Sequence, residues 1–425
     1  MSADIDTASG TRTRTGTGFS QRLAPEVYDR IQQRVLPLLE REGLSAMLTD
    51  DPEDVSYLTG FFHHPGERPV AVLLDASGRA VLLVPELERQ HAEEQGSRAE
   101  IVTFAEYPGV ENPFAPLART AGRLRGRVGV TTQTTLHRLA MIEGAFGTAG
   151  AAAGSGAGAG AGAGAVEWVP TELVTRARYI KLPEEIEQHR EAARITDVML
   201  QAGVDLIREA IDEGRPLPTE ADLAGHVGRT GVGIMYGEHS DVVVISFLAG
   251  GLVYSGANSA IPHGLPSGYR LRDGDTFMLS LGAAVGGRFV EGERTFVLGS
   301  PTAEQRRYHD AVRDAQAEGS RAIAPGVLCS ESNTRCLAVI RDAGLGQYLR
   351  HRQGHGIGLG MHEPPWLEDG DQTPLEVGMI VSNEPGIYIP GHAGYRISDS
   401  MLVTASGSEP LTHFPRSLDD CVIPL

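Results

Sequence analysis

The residues best suited to chemistry lie in the second half of this sequence, at glycine-rich corners and within apolar runs. In NSAIPHGLPSG, His263 is held between Pro262 and Gly264. In TFMLSLGAAVGGRFVEGERTFVLG, a turn at Gly286-Gly287 pairs Val285 with Arg288, and so Ser280 with Glu293, across a hairpin. Strand alternation then puts Glu291 and Glu293 on one face. In RQGHGIGLGMHEPPW, His355 and His362 stand among glycines that let backbone approach a ligand. In MIVSNEPGIY, Glu384 stands in an otherwise apolar strand, and GYRISDSMLV brings Arg396, Ser398 and Asp399 on the partner strand. Imidazoles and carboxylates are the groups of proton transfer and of metal ligation. Taken singly, each has an ordinary reading: a polar histidine, a solvated Glu291/Glu293 face, a structural ion pair between Glu384 and Arg396. Their convergence in one domain points to a site.

Positioning these groups takes a sheet with helices against it. Apolar residues at helical spacing (Val27, Ile31, Val35, Leu38, Leu39) predict a helix within 25–46, then a strand at Ala46–Thr49. Strand-like runs at 69–74, 79–85 and 100–104, with a helix at 86–94, predict an α/β layer domain. The run GTAGAAAGSGAGAGAGAGA at 147–165 predicts a flexible surface insertion inside that domain. Near Pro183 a long amphipathic helix begins, with Glu184 and Glu185 favouring its N-terminal dipole, and it ends at Gly214. Beyond it, strand signals at 241–247, 276–281 with 288–298, and 379–388 with 395–404 surround helical patterns at about 302–323 and 330–343. These predict an α+β domain with an antiparallel sheet. The expected organisation is a disordered tail at 1–22, an N-terminal α/β domain at 23–177 and a second domain at 178–425.

Composition narrows the function. With 37 Lys+Arg against 55 Asp+Glu, the net charge of −18 repels phosphate backbones and argues against nucleic-acid binding. Lys181 is the only lysine, so any Schiff-base or P-loop chemistry would have to use it. No apolar window reaches the ~18 residues of a membrane span, and the N-terminus has no signal-peptide core. Cys329, Cys336 and Cys421 are odd in number and lack a CxxC, which predicts structural thiols in a reduced, cytoplasmic protein.

The order PHGLP, GERT, GHGIGLGMHEPP, NEPGIY and GYRISD resembles the signature of the pita-bread fold shared by methionine aminopeptidase, aminopeptidase P, prolidase and creatinase. EREGLSAMLTDDPEDVSYLTGF is similar to the N-terminal domain of the creatinase and prolidase branch. The resemblance covers roughly residues 25–425 and implies a pita-bread C-terminal domain after a creatinase-type α/β domain.

In metallopeptidases of that fold, Asp, Asp, His, Glu and Glu hold two divalent metals. Carried over, the five positions are Ser280, Glu291, His355, Glu384 and Ser398. A neutral hydroxyl is a poor ligand for a divalent ion, so a full two-metal site is not expected. Glu291, His355 and Glu384, with Asp399 nearby, could still hold one metal such as Mn, Co or Zn. The alternative is metal-free work as in creatinase, which resembles this chain in LSL and in the glutamate before Arg-Thr. That resemblance implies that Glu293 and Glu384 bind a cationic part of the substrate. It casts His263 as general base and acid, with His355 and His362 hydrogen-bonding a carbonyl-type oxygen. Glu291, Ser280, Ser398 and Arg396 would complete the substrate site. HEPP departs from creatinase and keeps the peptidase form. In creatinase-like dimers the first domain reaches the partner's site, and FFHHPGERP matches that segment. Phe62, His63, His64 and Arg68 would there hold a substrate carboxylate, unless the loop is ordinary polar surface.

The expectation is a cytoplasmic homodimeric hydrolase that cleaves a C–N bond in a small amino-acid, guanidino or dipeptide-like substrate without cofactor. The alternatives are a metal-dependent Xaa-Pro dipeptidase or aminopeptidase, and a non-catalytic binding protein.

Overall fold

The computed structural model describes residues 18–147 and 166–425. The first seventeen residues of the expected tail, and the Ala/Gly run from 148 to 165, lie outside the described residues. The rest of that tail is structured, which corrects the expectation at 18–22. Phe19–Ser20 pairs in parallel with His239–Ser240. Gln21 is fully buried: its carbonyl accepts from Gln188 Nε2 at 2.8 Å, and its Oε1 accepts from the Val243 and Gly286 amides at 3.2 and 3.3 Å.

The N-terminal unit is a mixed six-stranded sheet flanked by helices, as expected of an α/β layer. Ala46–Thr49 lies between Ala71–Asp75, antiparallel, and Gly126–Thr131, parallel. Val166–Thr171 resumes the sheet immediately after the Ala/Gly run, parallel to Gly126–Thr131. Helix Pro25–Glu42 lays Ile31, Val35 and Leu39 into the core and stops at Gly43, whose φ of 63° is the left-handed cap that glycine tolerates.

The C-terminal unit is built on a nine-stranded sheet, antiparallel except where Val422–Ile423 joins Arg288–Leu298. At its centre Arg288–Leu298 pairs with Thr276–Val285 on one side and Ser398–Thr404 on the other. Helix Pro183–Asp212 packs across the sheet with Ile195, Met199 and Leu200 in the core. The three cysteines are buried and free. No described helix is long and apolar enough to cross a membrane.

Three local expectations are corrected. Residues 241–247 are not a strand; the edge strand is Ala249–Ser255. Val243 and Ile245, whose alternation suggested a strand, instead bury themselves in the core of the N-terminal unit. Helix Glu220–Glu238 was not foreseen, although Thr219 and Asp222 form a reciprocal capping box at its start. The hairpin expected from 379 to 404 is divided. Ile380–Asn383 pairs with Ser398–Thr404 in the main sheet, whereas Gly386–Ile389 pairs with Ala393–Arg396 in a separate ribbon. Pro385 has no amide hydrogen and breaks the ladder, so Glu384 sits in the gap between strands rather than within one.

A buried ionic joint ties the two units together. Arg178 lies 3.1 Å from Asp54, 3.0 Å from Glu53 and 3.4 Å from Glu363, and Lys181 Nζ is 3.2 Å from Glu363. Glu363 follows His362 directly, so the joint fixes the chain entering the site. It also removes Lys181 from contention as a nucleophile, since it is buried under Glu363.

At the tip of the central hairpin, Gly286 and Gly287 have φ of 58° and 76°, the type I′ geometry that suits strand twist. A Cβ on Gly286 would come within 2.4 Å of the Gln21 carbonyl. Gly286→Ala should therefore destabilise the protein by about 1–3 kcal/mol. Urea unfolding would show this as a lowered midpoint; an unchanged midpoint would count against the turn as drawn.

Candidate active site

The register of the central strands assembles the predicted groups. Ser280 is paired with Glu293, and Glu293 with Ser398, so these three share a face, with Glu291 two residues along. A cavity of about 990 Å³ opens over that face. Ser280, Glu291, Glu293, His355 and Arg396 line it from strands; His263, His362 and Glu384 line it from the surrounding loops and corners. Ser398 lies beneath them, fully buried, and donates to Glu291 Oε1 at 2.9 Å.

Glu293 and Arg396 are the anchor. Arg396 Nη2 donates to Glu293 Oε1 at 2.7 Å, and Nε donates to Oε2. The same guanidinium donates to Tyr254 and Tyr388 hydroxyls at 2.7 and 2.9 Å and to Ser280 Oγ at 3.0 Å. Ser280 in turn donates to Glu293. Burial works against the charge on Arg396, but Glu293, the two tyrosines and Glu384 outweigh it and hold the guanidinium protonated. Arg396 is thus paired with Glu293, and Glu384 stands further off at 4.0 Å.

A second cluster gathers around His355. Its Nδ1 lies 3.0 Å from the Gly356 carbonyl, which makes Nδ1 the donor and turns Nε2 toward the acids. Nε2 is 3.2 Å from Glu384 and 3.8 Å from Glu291. Burial disfavours an imidazolium here, yet the two carboxylates raise His355 to about 9. Burial, with the nearby Glu384 charge, pushes Glu291 up to about 8. Burial also opposes charge on Glu384, but His355, His351 and Arg396 hold it below the usual carboxylate range. The ring of His362 stands edge-on to His355, centroids 4.1 Å apart, and burial together with His355 lowers it to about 4.

The fit of a metal can be judged from these contacts. His355 Nε2 is buried with no well-aligned hydrogen-bond partner. Ligating atoms of Glu291, His355 and His362 all lie within 4.8 Å of one another, so this trio could hold one divalent ion. His362 joins Glu291 and His355 in this trio, and Glu384 stands beside it, 3.2 Å from His355 Nε2. Asp399 is not available as a ligand. It is fully buried and accepts from Arg294 at 2.8 Å, Gln316 at 2.7 Å and Thr412 at 2.7 Å, on the side of the strand away from Ser398. Ser280 and Ser398 are both engaged as donors to glutamates, and no second group of metal-ligating side chains is found among the described residues.

The N-terminal loop does not line the cavity of its own chain. Phe62 is buried in the N-terminal core, and His63 stacks on Phe61 at 5.4 Å. His64 is exposed, and Arg68 pairs with Glu67 at 2.9 Å and with Glu106. Sequence reasoning missed other lining residues. His351 bridges the Arg352 carbonyl and the Tyr388 hydroxyl at 2.8 Å each, and burial lowers it from the usual imidazole range. Arg350, Arg352 and Glu368 form the rim, and Phe247, Phe289 and Met361 an apolar wall. The adjacency of His351 to the glycine-rich His355 segment was the one available signal.

Comparison with known proteins agrees with this architecture. The profile of metallopeptidase family M24 matches residues 187–405, and that of the Creatinase/Prolidase N-terminal domain matches residues 32–157. An uncharacterised peptidase of Staphylococcus aureus strain USA300 is 29% identical over 387 residues, covering 90% of this chain and 99% of its own. The crystal structure of dipeptidase PepE from Mycobacterium ulcerans superposes with a TM-score of 0.78 at 26% identity, covering 95% of this chain and 100% of its own. An Xaa-Pro dipeptidase from Bacillus anthracis gives 0.76 at 27%, covering 93% and 100%.

Arg396→Leu should cost about 3–5 kcal/mol, because Glu293 would be left buried and unpaired. The double variant with Glu293→Leu should recover much of that loss. A denaturation cycle on the four proteins measures the coupling; additive losses would show that the pair does not anchor the site.

Proposed function

Since the chain belongs to metallopeptidase family M24, and so to hydrolases acting on C–N bonds, we propose that it cleaves such a bond in a small amino-acid, guanidino or dipeptide-like substrate without a two-metal centre. The observation that carries this reading is the set of hydroxyls at Ser280 and Ser398. Both donate to glutamates, and the Arg396 guanidinium lies 3.0 Å from Ser280 Oγ. Fixed positive charge already stands there and pairs with the adjacent Glu293 carboxylate, so a second divalent ion would meet repulsion.

In this reading the protein's own groups move the proton. His263 lines the cavity from an exposed loop, so it can exchange protons with bulk solvent between turnovers. It takes a proton from the attacking water and returns it to the leaving nitrogen. The imidazolium of His355, held between Glu291 and Glu384, is placed to hydrogen-bond an oxygen as negative charge develops on it. Glu384 and Glu293 offer negative charge to a cationic part of the substrate, within limits set by Arg396 on Glu293. The active unit is read as a cytoplasmic homodimer in which His64 and Arg68 of one subunit face the other's cavity, with Phe62 buried beneath their loop; both stand exposed on that loop, which supports this.

The Glu291, His355 and His362 trio favours a second reading, a peptidase with one divalent metal. A metal bound there would lower the pKa of its water and polarise a carbonyl. In both readings Ser398 orients Glu291 and the Gly356 carbonyl orients the His355 ring.

Exhaustive chelation decides between them. Activity on a panel of dipeptides and guanidino acids should survive, with no stoichiometric metal by elemental analysis. Activity that returns only with Mn²⁺, Co²⁺ or Zn²⁺, and is lost in His362→Ala, transfers the function to the metal reading. His263→Ala should lower kcat by about 10²- to 10⁴-fold; full activity in that variant would remove the proton shuttle.

A further inference from the structure

The charged groups around the cavity are partnered with one exception. Glu293 is locked to Arg396, Glu291 to Ser398, and Glu384 to His355. On the rim, Arg352 donates to Glu368 at 2.8 Å and lies flat over Trp366, 4.2 Å from its centroid. Arg350 has no carboxylate partner among the described residues, although it is exposed and lines the same cavity.

Its guanidinium is nevertheless held. Nη1 donates to the backbone carbonyls of Gln347 at 2.8 Å and Leu349 at 2.9 Å. These bonds fix one corner and leave the Nε–Nη2 edge open. That edge presents two parallel N–H groups, the geometry that matches a carboxylate. Pinning the other corner reduces the rotamer entropy lost on binding. Arg68, the arginine that sequence reasoning offered for this task, is already engaged by Glu67 and Glu106.

We propose that Arg350 is the residue that selects a substrate bearing a free carboxylate, through a two-point contact at the cavity rim. This rests on the hydrolase reading and names its substrate class. An acidic floor at Glu291, Glu293 and Glu384 beneath a cationic rim favours a dipolar molecule, with its anionic end outward and the scissile bond or cationic end inward. Phe247, Phe289 and Met361 add apolar surface to the same cavity.

The test is calorimetric titration of free dipeptides and guanidino acids, each beside its own carboxamide. Wild-type protein should bind the acids about 10- to 100-fold more tightly than the amides, the range of a charge-assisted hydrogen bond. Arg350→Ala should lose that preference while binding the amides as wild type does, and Arg350→Lys should keep part of it as a point charge. An acid preference that survives in Arg350→Ala overturns the proposal, as does one absent from wild type. Turnover of the same compounds is read separately. Acid preference without turnover would sink the hydrolase reading and leave the Arg350 contact standing.

Discussion

The buried pair of Glu293 and Arg396 is the interaction on which the site rests. One member comes from the central hairpin and the other from the end of the small ribbon Gly386–Ile389/Ala393–Arg396, so the pair pins two sheets together. Removing both charges from water is costly, and only a full set of hydrogen bonds makes such a pair tolerable. Tyr254, Tyr388 and Ser280 supply them. In doing so they orient the residues around the cavity floor, and they commit Ser280 to donating rather than ligating.

Charge bookkeeping on the two faces of the Ser398–Thr404 strand explains the rest of the site. On the cavity face a hydroxyl, Ser398, meets Glu291, so the acid is hydrogen-bonded without a guanidinium partner. On the opposite face Asp399 meets Arg294 in a fully buried pair. Two adjacent residues thus serve a reactive surface and a structural core, because successive side chains in a strand point opposite ways. The excess of buried negative charge around His355 follows, and it makes that histidine the natural seat for a proton or for a metal ion.

The N-terminal unit takes part through its joint. Arg178 and Lys181 bind Glu363, and Glu363 adjoins His362. The position of one cavity wall therefore depends on ion pairs formed with Glu53 and Asp54 of the other unit. Val243 and Ile245, from the C-terminal unit's chain, are buried in the N-terminal core and strengthen the same junction.

Much of this was legible in the sequence where a local rule governs. Gly286-Gly287 sets a two-residue turn, and the turn sets the register that faces Ser280 with Glu293. Helical periodicity placed Pro183–Asp212 and Ala303–Ala322 because each buries one stripe of its surface. What the tertiary structure alone decided is where a residue's partner comes from. It paired Arg396 with Glu293 in preference to Glu384, brought His362 to Glu291 and His355, and left Arg350 without a carboxylate among the described residues. It also turned an apparent strand at 241–247 into a plug for a neighbouring core. Backbone propensity and side-chain period act over a few residues and can be read along the chain. Pairing of buried charges is settled by which carboxylate the fold brings within reach, across separations of a hundred residues, and no spacing rule carries that information.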